Sequence, residues 1–179
     1  MQTPFPHSYW VVPGKLLAGH YPGSKDPAEM RQKLAGLIEA GIRRVINLQE
    51  ENERDYGGDL FVPYAAELQA IANAQNIEAT MRRMPIRDMG VPSRVQMRAI
   101  LDEIDQAIAQ NQPVYVHCWG GKGRTGTVVG CYLARHGLAS DWDALRRIKS
   151  LRRGVPDWRS ESPQSPEQFE MVRSWQTGE

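Results

Sequence analysis

Three apolar residues, Val114-Tyr115-Val116, run directly into His117-Cys118-Trp119-Gly120-Gly121-Lys122-Gly123-Arg124-Thr125-Gly126 and then into the apolar stretch Val128-Val129-Gly130-Cys131-Tyr132-Leu133. No other stretch narrows the choice of fold as much. A short uninterrupted apolar run reads as a strand buried on both faces, as in a parallel sheet covered by helices. The glycines after it let the chain curl, and the next helix points its first N–H groups and positive dipole end into that curl. This strand–loop–helix junction predicts an α/β domain with a hollow built to hold an anion.

The remaining pattern agrees with that class. Tyr9–Val12 and Lys15–Ala18 read as two short strands around the Pro13-Gly14 turn. Asp26, Pro27 and Glu29 read as cap, first-turn proline and capping-box acid of a helix that buries Met30, Leu34, Leu37 and Ile38 and stops at Gly41. A strand follows at Arg44–Leu48, a helix at Tyr64–Ala74, a strand at Thr80–Ile86 and a helix at Val95–Ile108. After the glycine loop, helices are expected near Thr125–His136, Asp141–Arg152 and Pro166–Trp175. Strands alternating with helices predict a central, mostly parallel sheet flanked by helices. The 179 residues suit one domain, and no repeat or linker divides them.

A net charge of +1 gives no footprint for nucleic acid or a membrane surface, so any affinity for an anion must be local. No apolar run approaches the roughly 18 residues of a membrane span, and residues 1–6 lack the features of a signal peptide. The two cysteines, Cys118 and Cys131, are too few for a disulfide framework. A reactive thiol needs reducing conditions, so a cytoplasmic location is the expectation.

Cys118 would sit at the base of the hollow, where converging N–H groups, the helix dipole and Arg124 all favour thiolate over thiol. The five residues between Cys118 and Arg124 close the loop and would bring the guanidinium fork over two oxygens of a bound phosphate. Thr125 would offer its hydroxyl to the sulfur. A nucleotide-binding phosphate loop is excluded, because Gly121-Lys122 is followed by Gly123 and Val116 stands where the first glycine should be.

The His-Cys, five residues, Arg-Thr-Gly pattern resembles the signature of the protein tyrosine phosphatase superfamily, and the short chain is similar to its compact dual-specificity and bacterial members. The resemblance implies a cysteinyl-phosphate intermediate on Cys118 and a catalytic set that includes His117, Arg124 and Thr125. It also implies a phosphate-binding loop of residues 118–124, including Trp119, Gly120, Gly121, Lys122 and Gly123, with no cofactor and no metal. The substrate would be a phosphorylated protein or a small phosphomonoester, with no nucleic-acid partner.

The departing oxygen needs a proton, and Asp88 is the candidate acid: it follows a strand in a loop bounded by Gly90 and Pro92. It precedes Cys118 by 30 residues, and compact family members are similar in placing their acid at about this separation after Pro-Ile-x-Asp. The competing reading of Asp88 is a cap for the Val95–Ile108 helix. Ser165, Pro166 and Gln168 read as a capping box, which leaves Gln164 free; its place resembles that of the family's water-orienting glutamine.

Other functions compete. Gly121-Lys122-Gly123-Arg124 resembles the tensin-homologue lipid phosphatases, which motivates a phosphoinositide or inositol-phosphate substrate. A pseudophosphatase that only binds phosphorylated partners is disfavoured by the presence of Cys118, Arg124 and Asp88 together. A rhodanese-like transferase is disfavoured by Arg124 and Asp88. Elsewhere the residues read as structural: Cys131 as core; Asp102, Glu103 and Asp105 as a solvated helix face; Glu50–Asp55 as a solvated loop, with the alternative that, following a strand, it edges the cleft. His7 and His20 read as isolated, Arg135 and His136 as a helix end, and the tryptophans other than Trp119 as packing.

Overall fold

The run Val114–His117 lies in the middle of the sheet, with every residue buried. In the computed structural model, which describes residues 2–179, the strands are β1 (Ser8–Val12), β2 (Leu16–Gly19), β3 (Arg44–Asn47), β4 (Thr80–Arg83) and β5 (Val114–His117). The helices are α1 (Pro27–Glu39), α2 (Ala65–Asn73), α3 (Arg94–Ala109), α4 (Gly123–Arg135), α5 (Asp141–Leu151) and α6 (Pro166–Ser174), with a 3-10 turn at Arg152–Gly154. Spatial order in the sheet is β1-β2-β5-β3-β4, and only the β1–β2 hairpin is antiparallel.

Side-chain alternation divides the core into two layers. Val114 and Val116 of β5, with Leu16, Ala18 and Ile46, pack under α3, α4, α5 and α6. Tyr115, with Leu17 and Val45, packs under α1 and α2. The parallel register sets Gly19 and Asn47 on either side of His117, so β2, β3 and β5 all end beside the glycine loop. The carboxyl ends of adjacent parallel strands are where α/β sheets place their sites. Among the described residues no helix is long and apolar enough to cross a membrane.

The structure departs from expectation at four places. At the start of α1, Asp26 accepts the Ala28 N–H at 2.9 Å, but Glu29 does not close a capping box. Ser24 stands between, donating its hydroxyl to Glu29 at 2.6 Å and accepting the Asp26 N–H at 3.1 Å. β4 ends at Arg83, although Met84 and Ile86 still donate to Asn47 and Leu48 at 2.9 Å; Pro85 has no N–H with which to continue the ladder. Glu103, expected on a solvated face, is buried and accepts from Arg44 at 2.7 Å and from Arg82. Trp142 is 55% exposed beneath the Arg173 guanidinium rather than packed in the core.

Candidate active site

The glycine loop closes because its backbone passes against β2. Gly121 has φ +59°, and a Cβ there would meet the Gly19 carbonyl carbon at 2.5 Å, so both space and conformation demand glycine. Cys118 follows β5 at the floor of a cleft of about 240 Å³ and is 3% exposed. Thr125, at the first turn of α4, donates its hydroxyl to the Cys118 sulfur at 3.1 Å. The cleft is lined by His20, Tyr56, Asp88, Met89, Cys118, Trp119, Gly120, Lys122, Gly123, Arg124 and Gln164. A second hollow, between Trp142 and the Arg159–Ser162 segment, contains none of the loop residues 118–124.

His117 is placed behind the loop rather than in the cleft. Its Nδ1 lies 2.9 Å from the Cys118 carbonyl oxygen and its Nε2 2.5 Å from the Tyr64 hydroxyl. A carbonyl only accepts, so Nδ1 carries the proton and Nε2 accepts from Tyr64. Burial pushes the imidazole down to about 3, and the nearby Arg124 and Arg83 charges add to the shift, so the ring is neutral at ordinary pH. It fixes the direction of the Cys118 backbone.

Arg124 is 2% exposed and bound differently from the expectation. Its fork grips Glu53 at 2.5 and 2.8 Å, and Nη1 also donates to the Ile86 carbonyl at 3.1 Å. Nη2 makes an ion pair with Asp88 at 3.0 Å. Burial disfavours the guanidinium charge, but Glu53 and the neighbouring Cys118 and Asp88 charges more than offset it, and the pKa is raised. Glu53 shows the mirror image: burial would raise its carboxyl, but hydrogen bonds from and attraction to Arg124 hold it below the ordinary 4.5. The acidic run after β3 is therefore not a wholly solvated loop. Its position after a parallel strand was the available signal, and its charge masked it.

Asp88 is 54% exposed on its loop and faces Arg124. It does not cap α3, because Ser93 does, accepting the Gln96 N–H at 3.2 Å. The two glutamines divide as expected in one respect. The capping box at Ser165 is present, with Gln168 accepting the Ser165 N–H at 3.3 Å and Gln164 left at the cleft. Gln168 also has an unforeseen contact: its Nε2 donates to the Gly90 carbonyl at 2.9 Å and ties α6 to the Asp88 loop.

Trp119 stands at the rim with its ring 4.2 Å from Tyr56 and 5.4 Å from Phe61. Lys122 turns aside to Asp157 at 3.2 Å. Cys118 and Cys131 are both free thiols; Cys131 lies fully buried in α4 near the Met171 carbonyl, and burial raises its pKa. His7 and His20, read as isolated, are companions with ring centroids 4.2 Å apart, and Asp157 adjoins them. The hairpin register makes them neighbours: they lie one step beyond the Ser8–Gly19 pair.

Comparison with known proteins agrees with this geometry. The family described as PTP-SAK, "Swiss Army Knife protein, DSP-PTPase phosphatase domain", matches residues 6–178. The phosphatidylglycerophosphate phosphatase PTPMT2 of Arabidopsis thaliana is 29% identical over 138 residues, which are 76% of this chain and 52% of that protein. The chain thus spans about half the length of that curated relative. Among solved structures, Tk-PTP in its active form superposes with a TM-score of 0.68 at 22% identity, covering 96% of this chain and 97% of the other. PTPMT1 in complex with PI(5)P gives 0.67 at 21% identity, covering 94% and 93%. At such identities these two show the fold. With the family match over nearly the whole chain, the protein belongs to the protein tyrosine phosphatase superfamily, as a phosphatase domain of the compact dual-specificity type.

Proposed function

We propose that the chain hydrolyses phosphomonoesters through a cysteinyl phosphate on Cys118 and that phosphotyrosine is its preferred substrate. The aromatic rim carries the preference: Trp119, Tyr56 and Phe61 offer ring faces and edges beside the cleft, matched to an aryl ester. In the first step the Cys118 thiolate attacks phosphorus, the S–P bond forms and the P–O bond to the leaving group breaks. Asp88 gives that oxygen its proton. Loop N–H groups of residues 119–124 and Arg124 hold the phosphoryl oxygens, and the Thr125 hydroxyl steadies the sulfur. In the second step Gln164 orients a water, Asp88 takes its proton, the water oxygen bonds to phosphorus as the S–P bond breaks, and phosphate leaves with Cys118 returned as thiolate. His117 is a positioning residue.

A second reading, a phosphoinositide or inositol-phosphate headgroup, is supported by His20 and Lys122 in the same cleft. The engagement of Lys122 by Asp157 weighs against it. A panel of phosphotyrosine and phosphoserine peptides, phosphatidylglycerophosphate, phosphoinositides and inositol phosphates decides between them. The expected result is a kcat/KM for phosphotyrosine peptides at least about tenfold above the headgroups, a gap that Tyr56→Ala narrows. The reverse order would establish the second reading.

The two half-reactions should separate in variants. Asp88→Asn should slow alkyl phosphates far more than activated aryl phosphates, which need little proton donation. Gln164→Ala should slow breakdown instead, so rapid quench with an activated aryl phosphate should show a larger burst and accumulated phosphoenzyme. Equal losses across leaving groups, or no added phosphoenzyme, would reassign these roles.

A further inference from the structure

We propose that His7, His20 and Asp157 form a binding site for a divalent transition-metal ion of the zinc class at the edge of the catalytic cleft. One ligand atom from each of the three lies within 4.8 Å of the others. Two imidazoles and one carboxylate are a donor set suited to zinc, with bonds of about 2.0–2.2 Å. Such bonds set ligand atoms roughly 3.4 Å apart, so a closure of about an ångström by side-chain rotation suffices. The hairpin holds the two histidines side by side, and the His20 N–H donates to the His7 carbonyl at 3.0 Å.

A second observation points to an occupant. His7 Nδ1 and His20 Nε2 are both buried without a hydrogen-bond partner, a costly arrangement that structures rarely leave unexplained. Asp157 Oδ1 lies 4.0 Å from His7 Nδ1, beyond hydrogen-bond reach. A metal ion among the three would take up the lone pairs of the two imidazole nitrogens, which have no hydrogen-bond partner.

Asp157 also holds Lys122 and Arg152, each at 3.2 Å. These two cations weaken any further cation, so the site should bind in the micromolar range rather than with the far tighter affinity of structural zinc. Lys122 is the partner free to yield, on a long stem beside the cleft, whereas Arg152 is buried and also donates to the Ser160 carbonyl at 2.9 Å. The ion would take no part in the chemistry on Cys118, so chelators should leave turnover unchanged.

The test is titration of the purified full chain with Zn²⁺ alone, in a Cys118→Ser background that removes the competing thiol. The expected result is one Zn²⁺ per chain, with His7→Ala and His20→Ala each weakening binding by at least about tenfold. X-ray absorption at the zinc edge should show nitrogen and oxygen ligands only. His7→Asn and His20→Asn preserve size and polarity at the hairpin, and their unfolding midpoints guard against misreading a folding defect. No binding at about 100 µM Zn²⁺ would overturn the proposal, being well above the affinity expected of such a ligand set. So would binding indifferent to both histidines.

Discussion

Cys118→Ser is expected to reduce turnover to below about 1% of the parent while leaving phosphate bound in the cleft. A serine hydroxyl is hardly ionised at neutral pH, so the nucleophile is lost. The donors proposed to hold the anion are backbone N–H groups and Arg124, none of which the substitution touches. The Thr125 hydroxyl, now 3.1 Å from the sulfur, would find an oxygen in nearly the same place. Steady-state assays and calorimetric titration with inorganic phosphate measure the two halves separately. Residual turnover well above that level would defeat the covalent mechanism. Loss of phosphate affinity in a variant that remains folded would show that the loop is not the anion site.

Glu53→Ala is expected to cost about 3–5 kcal/mol of stability, the range for removing one member of a buried ion pair, and to lower kcat/KM by about 100-fold or more. Arg124 is 2% exposed and Glu53 8%, so water entering from the cleft replaces only part of what the carboxylate gives the guanidinium. Without it the guanidinium keeps only the Ile86 carbonyl and the exposed Asp88, and its direction over the cleft is no longer fixed. Urea unfolding and steady-state kinetics test both effects. The pH dependence supplies an independent check. Glu53 is held below its ordinary 4.5 in the folded chain, so its stabilisation is present above that value and is lost as pH falls through the lowered folded value. Glu53→Ala should therefore flatten the acid-side decline in stability. Saturating phosphate should also stabilise the variant more than the parent, because the anion supplies the missing negative charge. An unchanged urea midpoint with an unchanged acid limb would reduce the pair to a surface contact.

What could be read along the chain was what depends on near neighbours. The buried strand at 114–117, the glycine loop and the capping box at Ser165 are written in stretches of ten residues or fewer. Gly121 needs its glycine for a reason that only the fold displays, the approach of Gly19 across the sheet, yet a helix-opening glycine loop was recognisable without it. Glu53 was hidden because its partner lies 71 positions away and its immediate company, Glu50 to Asp55, looks like a solvated acidic run. Glu103 misled in the same manner, since Arg44 is 59 positions distant and only β3 brings it alongside α3. The pairing of His7 with His20 waited on the hairpin register, where a slip of one residue would have turned one ring to the opposite face. Gln168 offered one sufficient local reason for its identity, the capping box, and this concealed its second contact with Gly90.

The Arg124–Asp88 contact has a consequence for how a substrate arrives. Each cation that lines the cleft already holds carboxylates, Arg124 those of Glu53 and Asp88 and Lys122 that of Asp157. With Arg152 also on Asp157, three positive side chains face three negative ones, so these charges nearly cancel and an approaching dianion gains little long-range attraction from them. In the proposed mechanism capture waits until the phosphate touches the loop, where N–H dipoles act over a few ångströms and the anion displaces Asp88 from Arg124. Encounter with this protein is therefore a matter of collision and local exchange rather than electrostatic steering, and its association rate should vary little with ionic strength.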